Sequence, residues 1–235
     1  MTDGEITIIS VTESDRGVRK IPKNNRSVTG RAEMLQDTAH YESTLERDFA
    51  HLVEFDGAVE RIISQPIRIY YRVGDGPERR YTADFLLRFR SINGARKKRP
   101  GLYEIKYRDE LRDRWEELEP GFRAARKLCR SRGWSFQVIT ERRIRGQYLD
   151  NVAFLRDYRG YSDNGGIGLK LLETLEELDT STPAILLAAA FMDKENRALA
   201  VGVMWRLIAD GYIGTNLTRK FSMNMEIWYE DLLQE

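Results

Sequence analysis

Tyr81-Thr82-Ala83-Asp84-Phe85-Leu86-Leu87 is followed, about twenty residues on, by Gly101-Leu102-Tyr103-Glu104-Ile105-Lys106. Both stretches are apolar runs interrupted by an acid. Side chains alternate between the two faces of a strand. Glu104 and Lys106 are therefore expected on one face, and Tyr103, Ile105 and Tyr107 on the other. Two carboxylates beside a lysine at the lip of a sheet suit metal-assisted phosphodiester hydrolysis. The carboxylates hold a hard divalent cation, and the lysine steadies the attacking water or the charge developing on phosphorus. Charged residues make up 32% of the chain, so such a spacing also arises by chance. What favours a site is that both acids interrupt strand-like runs instead of lying on helical surface patterns.

Upstream, residues 41–53 carry Leu45, Phe49, Leu52 and Val53 at helical spacing, which predicts an amphipathic helix. Glu46 adjoins the apolar stripe, so its carboxylate can reach inward. Ser43-x-x-Glu46 is equally a capping box, with Ser43 as N-cap. Residues 59–64 come next, then Gln65-Pro66, then an alternating strand over residues 67–73 and a turn at Gly74-Asp75-Gly76-Pro77. Beyond Lys106, residues 109–132 read as a helix with Trp115, Leu118, Phe122, Ala125 and Leu128 apolar. Pro120-Gly121 is expected to kink or interrupt it. Residues 134–140 form a further strand. Helix, strands, helix, strand describes an α/β sheet flanked by helices.

That order, with Glu46, Asp84, Glu104 and Lys106 in place, resembles the PD-(D/E)xK nuclease superfamily, whose sheet is the mixed one of restriction endonucleases. More narrowly it resembles TnsA, the endonuclease subunit of heteromeric transposases. The matching pieces are Ser43-Thr44-Leu45-Glu46, Gln65-Pro66, Thr82-Ala83-Asp84-Phe85, Glu104-Ile105-Lys106 and Phe136-Gln137-Val138-Ile139-Thr140-Glu141. Ala83 stands where the superfamily motif has proline. The resemblance implies Mg2+, or Mn2+ in its place, held by Asp84 and Glu104 with the backbone carbonyl of Ile105, and completed or extended by Glu46. It implies Lys106 as the catalytic lysine. It also implies nicking of transposon 5′ ends, beside a separate 3′-end-cleaving transposase (TnsB) and an ATPase regulator (TnsC).

The 235 residues hold a single cysteine, Cys129, and two histidines, His40 and His51. No disulfide framework can form, which makes a cytoplasmic location natural; the resemblance implies a bacterial one. A His-based zinc site or a Ser-His-Asp triad is improbable. No apolar run approaches the ~20 residues that span a bilayer, and no signal peptide is evident.

The net charge of +1 conceals an asymmetry. Residues 161–235 contain 12 acidic and 6 basic side chains, a net of −6; subtraction from the 37 and 38 of the whole chain leaves 25 and 32, a net of +7, in residues 1–160. The first part suits a polyanion and the second does not. Two acid-free basic stretches localise the DNA-binding expectation. One contains Arg19, Lys20, Lys23 and Arg26. The other joins the two acid-bearing strands and contains Arg88, Arg96, Lys97, Lys98 and Arg99. The second also reads as a solubilising loop tip.

Three divisions are expected: a basic arm over residues 1–40, a nuclease domain over 41–159 and a partner-docking domain over 160–235. Between the last two, residues 158–168 are glycine-rich and read as a linker. Three helices and a hairpin around Arg219-Lys220 then suggest a winged helix. Leu199, Val203, Leu207 and Ile208 should face inward from its third helix. Its acidity favours docking on a protein, in the resembled family the ATPase regulator, with Trp228, Leu232 and Leu233 as candidate anchors. The competing readings are a restriction or repair nuclease of the same superfamily and a non-catalytic DNA-binding subunit. A dead enzyme would be expected to lack Asp84, Glu104 or Lys106, and all three are present.

Overall fold

Two long paired strands, each broken at the same level, organise the first half of the chain. A computed structural model describes residues 4–15, 17, 30–33, 38–91, 98–163 and 165–230, the backbone alone for 30–40. Arg19, Lys20, Lys23, Arg26, Arg96, Lys97, Leu232 and Leu233 lie outside what it describes. The chain divides into two compact units, residues 1–144 and 145–235.

In chain order the first unit contains β1 (Ile6–Glu13), β2 (Gly30–Glu33), β3 (Thr38–Tyr41), α1 (Thr44–Phe55), β4 (Val59–Ser64), β5 (Ile67–Val73), β6 (Arg79–Thr82), β7 (Phe85–Phe89), β8 (Gly101–Ile105), α2 (Arg108–Asp113), α3 (Trp115–Arg132), β9 (Ser135–Ile139) and α4 (Glu141–Ile144). A four-stranded sheet has the order β4-β7-β8-β9, and a three-stranded sheet the order β1-β5-β6. All pairs are antiparallel except β8 with β9, which is parallel. A parallel pair needs a crossover, and α2 and α3 supply it.

The chain passes from β4 into β5 at Gln65-Pro66 and from β6 into β7 at Ala83-Asp84. Proline has no N–H for a ladder, and Gln65 adopts a positive φ of 45°. The two breaks face each other. Gln65 N donates to Asp84 O at 2.6 Å, and Ala83 N donates to Ile67 O at 3.3 Å. Asp84 thus stands where one sheet gives way to the next.

Two apolar clusters cover the two faces. Leu45, Phe49 and Val53 of α1 pack with Phe85, Leu87, Tyr103 and Ile105. Ala124, Ala125, Leu128 and Cys129 of α3 pack with Ile69, Leu86 and Leu102. Alternation along β7 and β8 sends neighbours to opposite clusters, which is the period-two pattern read from the sequence.

Two local expectations are corrected. The helix over residues 109–132 breaks at Arg114, whose guanidinium bonds Glu110 and Glu117, and not at Pro120-Gly121. Pro120 lies near the start of α3, where one lost backbone bond does not end a helix already packed on the sheet. The N-terminal stretch is also more than an arm. β1 pairs along β5, and Ile6 is buried, so its first strand belongs to the nuclease unit.

The second unit contains α5 (Gln147–Arg156), α6 (Ile167–Leu178), β10 (Thr180–Ser181), α7 (Pro183–Ala190), α8 (Lys194–Ala209), β11 (Ile213–Thr215) and β12 (Ile227–Tyr229). Its strands form an antiparallel sheet of order β10-β12-β11. The unit begins before the glycine-rich segment, because α5 packs into it. Phe154 meets Trp205 edge-on at 5.0 Å, and buried Asn151 donates to Leu217 O and Arg219 O. Val203, Leu207 and Ile208 face the core as expected, joined by Ala200 and Met204, whereas Leu199, also expected inward, is 56% exposed. α8 is apolar around much of its circumference, so periodicity alone did not select its buried face.

Candidate active site

The register of β7 on β8 sets Phe85 opposite Tyr103 and Leu86 opposite Leu102. Extended by one step, it brings Asp84 to Glu104. Ile105 N donates to Asp84 Oδ2 at 2.7 Å, which fixes the aspartate on the next strand. Lys106 Nζ lies 2.9 Å from Glu104 Oε1 and 3.7 Å from Asp84 Oδ2. It also donates to Ile105 O at 3.2 Å. The face shared by Glu104 and Lys106 is therefore the observed one, and all three charged groups meet at the strand break.

Glu46 arrives from α1 and is tied locally. Its N–H donates to Ser43 Oγ at 3.1 Å, Ser43 Oγ donates to Glu46 Oε1 at 3.0 Å, and Glu42 N donates to Glu46 Oε2 at 2.8 Å. Both carboxylate oxygens serve the start of the helix, as the capping reading expects. Its charge still couples to the cluster. Burial, then the charge of Asp84, push its carboxyl up to about 7, while Lys106 pulls it down.

Tyr81 was not singled out by the sequence. Its hydroxyl donates to Glu104 Oε2 at 2.5 Å. Nothing local points to this pair, whose members lie 23 residues apart. Gln65 is a second omission. Its Oε1 is buried and has no hydrogen-bond partner.

The electrostatics favour a cation. Burial and then the Asp84 charge push Glu104 up to about 8, against the pull of Lys106 and Tyr81. Burial also raises Asp84. Lys106 is held above its usual value by Asp84 and Glu104, although burial opposes this, and it stays charged. One lysine thus faces a buried and a half-buried carboxylate, with a third nearby, an arrangement that a divalent ion relieves. Among the described residues no three acidic, histidine or cysteine side chains form a ready-made cage. The donor set fits Mg2+ nonetheless, because that ion keeps several waters and is bound through one or two carboxylates. Asp84, Glu104 and the Ile105 carbonyl are the oxygen donors gathered there.

Just past Lys106 a cleft is lined by Arg108, Asp109, Arg112, Glu141 and Arg142. Of the remaining DNA-binding candidates, Arg88, Lys98 and Arg99 are exposed, and Lys98 Nζ sits 4.3 Å from the centre of the Phe89 ring.

A mixed sheet that presents aspartate, glutamate and lysine at a strand break is an arrangement of the PD-(D/E)xK nuclease kind. Residues 56–141 match the family model described as TnsA-like endonuclease N terminal. The matched segment includes Asp84, Glu104 and Lys106 and leaves out Glu46. It supports a TnsA-like nuclease of the transposase type. No curated protein matches the chain. Among the described residues no helix is long and apolar enough to cross a membrane.

Proposed function

We propose that this protein is a magnesium-dependent DNA endonuclease subunit of a heteromeric transposase that nicks the 5′ ends of a transposon. The observation that carries the reading is the Asp84–Glu104–Lys106 cluster at the strand break, inside the TnsA-like segment. When bound, Mg2+ supplies Lewis-acid polarisation of the phosphate and activation of water. Asp84, Glu104 and the Ile105 carbonyl hold it, and Glu46 adds negative charge at the rim. Lys106 keeps its proton between the carboxylates and offers Nζ to the attacking water or the developing phosphorane charge. Arg88, Lys98 and Arg99, with the arginines of the cleft beyond Lys106, contact the DNA backbone without reading sequence.

Such a domain works with other transposase subunits, here a 3′-end-cleaving transposase (TnsB) and an ATPase regulator (TnsC), in a bacterial cytoplasm. We assign the second unit to docking on the regulator through a winged-helix module. From α6 onward its order of helix, strand, two helices and two strands supports that module, and the net charge of −6 over residues 161–235 supports a protein partner over DNA. The test is nicking of transposon-end DNA with the partner subunits and Mg2+. Asp84→Asn should abolish 5′ nicking with an unchanged circular dichroism spectrum. Wild-type cutting by that variant would remove the assignment.

A further inference from the structure

We propose that Tyr81, seated against Gly121, is a positioning residue that fixes the Glu104 carboxylate for its metal. The inference rests on the nuclease reading and concerns how one of its ligands is held. The outer torsion of a glutamate side chain is soft and roughly two-fold. Glu104 is 3% exposed, and its two oxygens have different partners. Oε2 takes the Tyr81 hydroxyl at 2.5 Å, and Oε1 faces Lys106 at 2.9 Å. The phenol thus selects which oxygen turns toward Lys106 and Asp84, and it holds the torsion still.

The tyrosine is itself held. Its ring meets Phe122 edge-on, with centroids 6.2 Å apart. Behind it stands Gly121, buried in α3. A Cβ there would come within 2.8 Å of Tyr81 Cδ2 and 3.3 Å of Cγ. These are atoms near the root of the ring, so any larger residue would push the whole side chain, and its hydroxyl, off Glu104. Gly121 therefore serves the ring seat and not a helix break. Groups that orient a ligand from behind typically change metal affinity or activity 10- to 100-fold when removed.

The experiment measures Mn2+ binding to the full-length protein by isothermal titration, without DNA and at one pH. Tyr81→Phe keeps the ring and removes only the hydroxyl. It should weaken Mn2+ roughly 10- to 100-fold with its circular dichroism spectrum retained. Gly121→Ala should weaken Mn2+ through the displaced ring. Tyr71→Phe is the control. It too loses a buried hydroxyl, one bonded to Arg79, and should bind Mn2+ as the wild type does. Wild-type affinity in Tyr81→Phe overturns the proposal. If Tyr81→Phe does not fold, wild-type affinity in a folded Gly121→Ala overturns it equally. A wild-type protein that takes no Mn2+ defeats the nuclease reading together with this one, an outcome distinct from unchanged affinity in the variants.

Discussion

Glu104 and Glu46 carry the same side chain to the same charged cluster, one from the floor of the sheet and one from its rim. Glu104 stands on β8, where every residue is buried, and its oxygens bond Tyr81 from another strand and Lys106 two residues on. Glu46 stands in the first turn of α1, and its oxygens bond Ser43 and Glu42 beside it. Local bonds can be satisfied by the helix alone. Bonds across 23 residues exist only in the folded sheet. The comparison separates a carboxylate that the fold places for chemistry from one that first finishes a helix.

The floor should be the part that cannot be altered. Asp84→Asn or Lys106→Ala should reduce 5′-strand nicking by on the order of a thousandfold or more, since Lewis-acid stabilisation is worth several kcal/mol. Single-turnover cleavage with saturating partner subunits checks this, and activity within about tenfold of wild type would return the cluster to a structural role. The basic strand and loop beside the floor are next. Replacing Arg88, Lys98 and Arg99 by glutamine should lower the slope of log K against log salt by about one per lost phosphate contact. Fluorescence anisotropy on a labelled duplex reads the slope; an unchanged value makes these side chains solvated surface only.

At the rim the expected effect is smaller. Glu46→Gln keeps acceptors for Ser43 and Glu42 but loses the charge coupled to Asp84. It should raise the Mg2+ concentration needed for nicking by roughly tenfold or less, with the melting temperature little changed. Ser43→Ala should instead lower stability by about 1 kcal/mol and leave the Mg2+ requirement alone. If both variants change only stability, Glu46 belongs to the helix and not to the site.

The smallest effect is a pH drift of the metal-free protein. Glu104 is raised to about 8 and Glu46 to about 7, each from 4.5. Between about 4.5 and about 8 the folded state therefore binds more protons than the unfolded chain. Stability without metal should fall as pH rises through that window. Mg2+ should flatten the fall, because it takes over the charge that the protons had cancelled. Thermal melts with EDTA and with Mg2+ across this range test the sign, and a metal-free stability that rises with pH contradicts it.

That Asp84, Glu104 and Lys106 come together was legible because strand alternation is a strict rule of two, and the acids interrupted otherwise apolar runs. The capping role of Glu46 was legible because Ser43-x-x-Glu46 is a local pattern. Tyr81 was not, since nothing near it announces a partner on β8. Pro120-Gly121 misled for a related reason. Proline and glycine signal breaks on average, but here the glycine answers to a ring from another strand. Leu199 was misplaced because a helix with apolar residues on most sides does not declare which face is buried. The two-residue β10 carries no pattern long enough to read.

The broken hairpin has a consequence for the order in which the molecule assembles. β4 with β5 and β6 with β7 form two arms joined by the short turn after Val73, so their pairing closes a small loop. β8 must then join β7, and its parallel partner β9 arrives only after the whole α2–α3 crossover. Closing longer loops is slower. Asp84 is therefore expected to reach its place before Glu104 and Lys106 come to it, leaving the charged cluster as one of the last parts to close. In pulsed hydrogen exchange during refolding, the amides of Gln65 and Ala83, which bond across the hairpin, should gain protection first. Those of Ile105, bonded to Asp84, and Lys106, bonded to Ile139, should follow. Simultaneous protection of all four would mean that sheet and site condense in a single step.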